Sequence, residues 1–141
     1  HRNAPDGSDW DGFFGRFVSD EKRAATAKLL SRDVLYPALE SDARDIRVTK
    51  NRYSALIAGD SPLKKVLDEK RIDTLLIAGT KTNVCCECTA RDAMMLDYKV
   101  VMLSDCTAAL SDEEHLATLE NMIQQFGDVL TADESLDLLD R

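Results

Sequence analysis

The 141-residue chain is predicted to adopt an α/β fold, a three-layer Rossmann-like parallel sheet with helices on both faces. Two observations predict this class. Short apolar runs alternate with helix-forming stretches from about residue 46 onward, which is the order of βα units. The runs at 74–78 and 100–103 are apolar throughout, as strands are when helices cover both faces of a parallel sheet.

The N-terminal part of the chain lacks this alternation. Residues 4–20 are rich in Gly, Asp and aromatic side chains without sustained periodicity, which predicts a long loop. Residues 20–30 have helix-forming composition, and Ser19 or Asp20 can serve as the N-cap. A surface helix is therefore expected to follow the loop.

The later elements follow one another with short connections. Pro62 suits the first turn of a helix, since its missing N–H group has no partner to lose there. We find no internal repeat and no domain boundary, so residues 1–141 are predicted to form a single domain. The predicted elements are a strand at 46–49, a helix at 62–70, a strand at 74–78, a helix at 83–96, a strand at 99–103, a helix at 112–125, a short strand at 129–130 and a final helix from about residue 132.

Composition and charge narrow the functional classes. Apolar residues make up 44% and charged residues 31%, as in globular proteins. The net charge of -8 argues against a nucleic-acid partner, because phosphate binding needs clustered Lys and Arg. No apolar run approaches the roughly 20 residues that cross a bilayer. We therefore expect a cytoplasmic protein that acts on a small molecule without nucleic acid or membrane.

A cysteine at the start of a helix is the most informative feature of the chain. The run at 77–85 leads from an apolar strand through a turn into a helix that begins near Cys85. Backbone N–H groups and the helix dipole favour an anion there, which makes Cys85 a candidate nucleophile. A buried structural cysteine is the equally weighted alternative. Cys86 and Cys88 are expected to pack against the sheet.

Cys85 and Cys88 also form a C-x-x-C pair, which is an alternative indication of zinc binding or redox function. Zinc needs two further ligands, and Cys106, His115 and His1 do not form the second ligand pair of a zinc ribbon. We interpret His115 as a surface residue near a helix start. No metal and no cofactor are expected.

Lys50 is a second candidate catalytic residue. It follows the predicted strand at 46–49, where a lysine is usually a solvated strand end. Tyr53 and Ser54 come directly afterwards in a polar and aromatic turn suited to lining a pocket. A lysine that points into such a pocket can favour a thiolate and stabilise developing negative charge.

Three segments are predicted to meet at one edge of the sheet. Lys50, residues 79–85 and residues 104–109 all follow predicted strands, and sites in open parallel sheets lie at the carboxyl ends of strands. Backbone N–H groups from the turn at Thr80 and Lys81 are suited to an oxyanion hole. The sequence therefore indicates a hydrolase site at this edge.

Three segments of the chain resemble the isochorismatase-like cysteine hydrolases, a superfamily of isochorismatases, nicotinamidases and related amidohydrolases. The resemblance extends over residues 46–134, and the matching segments keep the order and spacing of the family. The TNVC segment followed by TARDA is highly specific. The segments are KNRYSAL at 50–56, LLIAGTKTNVCCECTARDA at 75–93 and SDCTAALSDEEH at 104–115.

The resemblance implies an Asp-Lys-Cys triad in which Cys85 is the nucleophile and Lys50 the lysine. It also implies a cis peptide bond between Thr80 and Lys81, and an oxyanion hole formed by the amides of Lys81 and Cys85. The family's acid lies on the first strand in a segment resembling DMQ, which these residues do not include. We therefore expect an N-terminally incomplete domain whose first strand precedes His1.

The resemblance also bears on metal, substrate and assembly. The metal-binding Asp and His cluster of the nicotinamidase branch has no counterpart in the loop after His1. We predict a cysteine hydrolase that cleaves a C–N bond of a small amide or ureido substrate through a covalent Cys85 intermediate. The alternatives are a vinyl ether hydrolase of the isochorismatase type and a non-catalytic subunit. Tyr53, Trp10 and Phe14 are candidate pocket walls, and the family implies a homo-oligomer.

Overall fold

The computed structural model describes residues 19–30, 35–59 and 61–140. The chain divides into two compact units, His1–Asn51 and Arg52–Arg141.

Helix α1, at Asp20–Leu30, is the regular element of the described part of the first unit. Ser19 caps it as predicted, because its Oγ accepts a hydrogen bond from the backbone N–H of Lys22 at 3.3 Å. The prediction of a strand at 46–49 is wrong, because these residues have no regular secondary structure. Ile46 is 50% exposed, so apolar composition alone did not produce a strand here.

The second unit confirms the α/β prediction. Its described residues form a parallel three-stranded sheet in the order β1-β2-β3, with helices between the strands. Two helical segments are π-helical turns, with wider rings than an α-helix has. The elements are α2 at Leu63–Lys70, β1 at Thr74–Thr80, the first π-turn at Thr82–Cys86, α3 at Glu87–Met95, β2 at Lys99–Ala108, α4 at Asp112–Asn121, the second π-turn at Met122–Phe126, β3 at Asp128–Leu130 and α5 at Ala132–Leu139.

The pairing of β1 with β2 changes register near its carboxyl end. Ile77 pairs with Met102, whereas Gly79, only two residues later, pairs with Thr107. Gly79 has a φ of 119°, which side chains rarely adopt, so a glycine suits the irregularity. Pairing then resumes at Thr80, which extends both strands beyond the apolar runs that predicted them.

The two helices predicted at 83–96 and 112–125 are each a π-turn combined with an α-helix. Both kinds of helix are right-handed and share the same composition, so a residue pattern does not separate them. Helices α4 and α5 each begin directly after a capping residue. The Ser111 side chain accepts from the N–H of Glu114, and Thr131 forms a capping box with Glu134.

A contiguous hydrophobic core lies between the sheet and its helices. Met102 of β2 and Met122 of the second π-turn are fully buried in it. The chain also passes very close to β2 at Gly127, where an added Cβ would lie 2.5 Å from the carbonyl oxygen of Val100. The buried members are Leu56, Leu67, Ile77, Cys86, Ala90, Ala93, Tyr98, Val100, Met102 and Met122.

No helix within the described ranges combines the length and the apolar character that crossing a bilayer requires.

Met102→Ala should destabilise the fold far more than Met95→Ala. Met102 is 0% exposed and Met95 is 64% exposed, so only the first substitution opens a cavity in the core. We expect Met102→Ala to lower the free energy of unfolding by about 2–5 kcal/mol and Met95→Ala by about 0.5 kcal/mol or less. Urea unfolding followed by circular dichroism measures both, and equal losses would contradict this core assignment.

Candidate active site

Cys85 lies in the first π-turn, directly beyond the carboxyl end of β1. The peptide bond between Thr80 and Lys81 is cis, at the position that the resemblance implies. The carbonyl oxygen of Lys81 then accepts hydrogen bonds from the N–H groups of Val84 and Cys86, both at 3.2 Å. The chain therefore folds back on Lys81 within one turn, and this holds Cys85 at the edge of the sheet.

The second segment predicted for this edge does meet the first. The strand register places Thr107 beside Gly79 and Ala108 beside Thr80. The hydroxyl of Thr107 donates to the carbonyl of Leu103 at 3.0 Å, which closes the irregular part of β2. The loops that follow β1 and β2 consequently share one edge of the sheet, as the sites of parallel sheets do.

The four cysteines are all thiols, and they differ in their surroundings. Cys86 is buried in the core, with its sulfur 3.9 Å from the carbonyl oxygen of Ala78. Cys106 is exposed, and desolvation together with the neighbouring Asp105 raises the pKa of its thiol. Cys85 is half-buried and therefore combines partial access with a fixed backbone.

Cys88 is also half-buried, but its environment disfavours a thiolate. Burial raises the pKa of the Cys88 thiol, and the charges of Glu87, Asp92 and Cys85 raise it further. A thiol with a raised pKa stays protonated at neutral pH and reacts slowly. Cys88 is thus a poor second nucleophile despite its C-x-x-C spacing.

Tyr53 lies in the same local environment as Cys85. Burial raises the pKa of the Tyr53 phenol, and the charges of Cys85 and Cys88 raise it further. The Tyr53 side chain is 37% exposed, so one part of it faces solvent while the rest is packed. The place of Tyr53 in a pocket wall stays a prediction.

Thr89 of α3 connects the turn at 53–56 to the first π-turn. Its hydroxyl donates to the carbonyl oxygen of Cys85 at 2.7 Å and accepts from the backbone N–H of Ala55 at 3.1 Å. Ser54, which is buried, accepts from the N–H of Leu56 at 3.1 Å. The sequence segment TARDA indicated the region of Thr89, but none of these three hydrogen bonds follows from a motif.

His115 lies against the first π-turn, so its interpretation as a surface residue is wrong. It is half-buried, and its Nδ1 lies 2.9 Å from the hydroxyl oxygen of Thr82, which is fully buried. The N-cap Ser111 lies one turn before His115 and starts α4 just beyond the end of β2. In the sequence, the indication of this contact was a histidine in the first turn of a helix that follows a strand.

A polar network holds α3 against its neighbours. Arg91 forms an ion pair with Glu87 at 2.6 Å, and Thr118 of α4 donates to the second oxygen of Glu87 at 3.0 Å. The Arg91 guanidinium also lies 3.8 Å from the ring centre of Phe126 in the second π-turn. These contacts orient the helix that carries Cys88 and Thr89.

The other residues considered for the site are Lys50, Trp10, Phe14 and His1. Lys50 belongs to the first unit and is half-buried in a segment without regular secondary structure. Trp10, Phe14 and His1 lie outside the described residues. Across the described ranges, no group of three or more His, Cys, Asp and Glu side chains could hold a metal ion.

Iodoacetamide at neutral pH is expected to alkylate Cys85 before Cys106, although Cys106 is the more exposed. The raised pKa of the Cys106 thiol keeps it protonated below that pKa, and its reaction should accelerate only as the pH rises. Peptide mass spectrometry over a time course identifies the labelled residue. The Cys106→Ser variant is the control and should label Cys85 at the wild-type rate, whereas initial labelling at Cys106 would refute this ordering.

The chain is 38% identical over 97 residues to a ureidoacrylate amidohydrolase from Agrobacterium fabrum, covering 68% of this chain and 42% of that protein. It is 34% identical over 90 residues to nicotinamidase 3 from Arabidopsis thaliana, covering 64% and 44%. A solved cysteine hydrolase from Pseudomonas syringae pv. phaseolicola has a TM-score of 0.81 at 28% identity, covering 99% of this chain and 70% of the other.

The chain spans about half the length or less of the curated relatives it matches, with 48% of an uncharacterized isochorismatase family protein from Bacillus subtilis and 44% of nicotinamidase 3. The model of the isochorismatase domain matches residues 13–134, which includes both units in large part. The chain therefore belongs to the isochorismatase family.

Proposed function

We propose that this protein is a hydrolase that cleaves a C–N bond of a small amide or ureido compound through a covalent intermediate on Cys85. The observation that carries the proposal is the half-buried thiol of Cys85 in the turn that follows β1 and the cis peptide bond. Relatives named as a nicotinamidase and a ureidoacrylate amidohydrolase support an amide or ureido substrate.

In the proposed reaction, the Cys85 sulfur attacks the carbonyl carbon of the substrate and forms a C–S bond. The carbonyl electron pair moves onto oxygen, where the backbone N–H groups of Lys81 and Cys85 would stabilise the negative charge. When the intermediate collapses, the C–N bond breaks and the amine leaves with the proton that Cys85 lost. Water then hydrolyses the thioester of an amide substrate to a carboxylic acid, or the thiocarbamate of a ureido substrate to a carbamic acid that decomposes to carbon dioxide and an amine or ammonia. Either step restores the thiol.

Two further side chains have proposed roles. Lys50 would favour the thiolate and stabilise charge, while a carboxylate base would carry the proton from sulfur to the leaving amine, as the resemblance implies. Tyr53 would form a wall of the substrate pocket, which the effect of the Cys85 charge on the Tyr53 pKa supports. The contact between Thr82 and His115 holds the turn that would supply the oxyanion hole.

Cys85→Ser should abolish amide hydrolysis, because a serine at this position lacks the ready ionisation of a thiol. We expect wild-type protein to release ammonia from nicotinamide or 3-ureidoacrylate, and Cys85→Ser to be slower by about 10³-fold or more. Ammonia release and chromatography of the acid product measure the rate. The matched control, Cys88→Ser, should retain activity, and a Cys85→Ser protein near wild-type activity would exclude the covalent route.

Lys50→Ala should lower kcat/KM for the same substrate by about 100-fold, because one charge-stabilising group is removed from the reaction. Lys65→Ala is the control, since the Lys65 side chain is 79% exposed and pairs with Glu69 on the surface of α2. Both variants should give wild-type circular dichroism. If Lys50→Ala kept at least half of the wild-type kcat/KM, the proposed role of Lys50 would be withdrawn.

A further inference from the structure

We propose that Thr89 is a positioning residue whose hydroxyl holds the turn at 53–56 against the backbone of Cys85, and so sets the place of Tyr53 beside the nucleophilic sulfur. This inference deepens the proposed function and rests on it for its catalytic consequence. Its structural part depends only on contacts within the second unit.

The hydroxyl of Thr89 both donates and accepts a hydrogen bond. A threonine hydroxyl carries one hydrogen to donate and two lone pairs to accept. Here the hydrogen goes to the carbonyl oxygen of Cys85 at 2.7 Å, and one lone pair accepts from the N–H of Ala55 at 3.1 Å. A single oxygen atom thus joins the backbone of Ala55 to that of Cys85, although Ala55 and Thr89 are 34 residues apart in the chain.

The bond from Thr89 to Cys85 is local, since threonines in helices often donate to the carbonyl one turn earlier. The bond from Ala55 to Thr89 is the unusual one, because Ala55 lies in a turn and not in a sheet ladder. A partly buried N–H group needs a partner, and losing it costs about 1–3 kcal/mol. The hydrogen bond to the Thr89 hydroxyl therefore stabilises the position of the turn at 53–56.

The rest of the turn is stiff enough to transmit this placement to Tyr53. Leu56, at the far end, belongs to the hydrophobic core together with Cys86 and Ala90. Ser54 is buried and binds the N–H of Leu56, which closes the turn on itself. Tyr53 therefore extends from a segment anchored in the core on one side and by Thr89 in the middle.

Small displacements of a pocket residue such as Tyr53 matter for catalysis. A displacement of about 1 Å in a reacting or positioning group can cost about 100-fold in rate. Thr89 contacts the carbonyl of Cys85 itself, so the same hydroxyl relates the nucleophile's turn to the pocket wall. Removing it should let the wall move away from the sulfur without removing any group that touches the substrate.

Thr89→Val tests the inference because valine keeps the shape of threonine and lacks the hydroxyl, while Thr89→Ser keeps the hydroxyl. The probe is the phenol of Tyr53 in the full chain, titrated by NMR of ¹³C-labelled tyrosine and assigned with Tyr53→Phe. Burial and the charges of Cys85 and Cys88 raise the Tyr53 pKa in the wild type above the ordinary 10.0. Thr89→Val should shift that pKa back toward the ordinary value, and Thr89→Ser should preserve the raised pKa.

Thr118→Val is the matched control. It removes another hydroxyl hydrogen bond to α3, the one at 3.0 Å to Glu87, without touching the turn at 53–56. We expect both valine variants to lose similar thermal stability, while only Thr89→Val changes the Tyr53 titration. Thr89→Val should also lower kcat/KM for the amide substrate about tenfold, equivalent to about 1.4 kcal/mol, with Thr89→Ser and Thr118→Val within about threefold of wild type.

An unmoved Tyr53 titration in Thr89→Val, or an equal shift in Thr118→Val, would overturn the inference. The titration needs no substrate, so its result is independent of the proposed function. Failure of the proposed function would appear instead as hydrolysis that survives Cys85→Ser, while the difference in Tyr53 titration between Thr89→Val and Thr89→Ser would remain.

Discussion

The parallel pairing of β1 with β2, and its change of register at Gly79, is the constraint on which the site depends. Before Gly79 the two strands pair residue by residue, and after it β2 has supplied three extra residues to the same pairing. The positive φ of Gly79 accommodates the irregularity, so β1 continues to Thr80 beside Ala108. The cis bond and the first π-turn then begin from a strand end that is still hydrogen-bonded, which gives Cys85 a defined position.

Side-chain hydroxyls secure this irregular backbone where no regular ladder can. Thr82 contacts His115 of α4, Thr89 joins the π-turn to the turn at 53–56, and Thr118 reaches Glu87 at the start of α3. Each hydroxyl connects segments that are far apart in the chain, and each lies in a partly buried place where a lost partner is costly. Thr82 and Thr89 thereby hold the turn that carries the candidate nucleophile, and Thr118 holds the first residue of α3.

Much of this arrangement could be predicted from the sequence, because it follows from local pattern. The alternation of apolar runs and helical stretches predicted the α/β order, and the same pattern predicted that Cys85 follows the carboxyl end of a strand. The strand at 46–49 was wrong because a strand also needs a partner, which composition does not reveal. The contact between His115 and Thr82 was missed because it joins residues 33 positions apart.

The central claim is that Cys85 forms a covalent bond with the carbonyl carbon of an amide substrate. Rapid acid quench of the full chain during turnover, followed by peptide mass spectrometry, tests this most directly. We expect an added mass equal to the acyl part of the substrate, confined to the peptide that contains Cys85 and absent from Cys85→Ser. An acyl group on Cys88 or Cys106, with Cys85 unmodified, would contradict it.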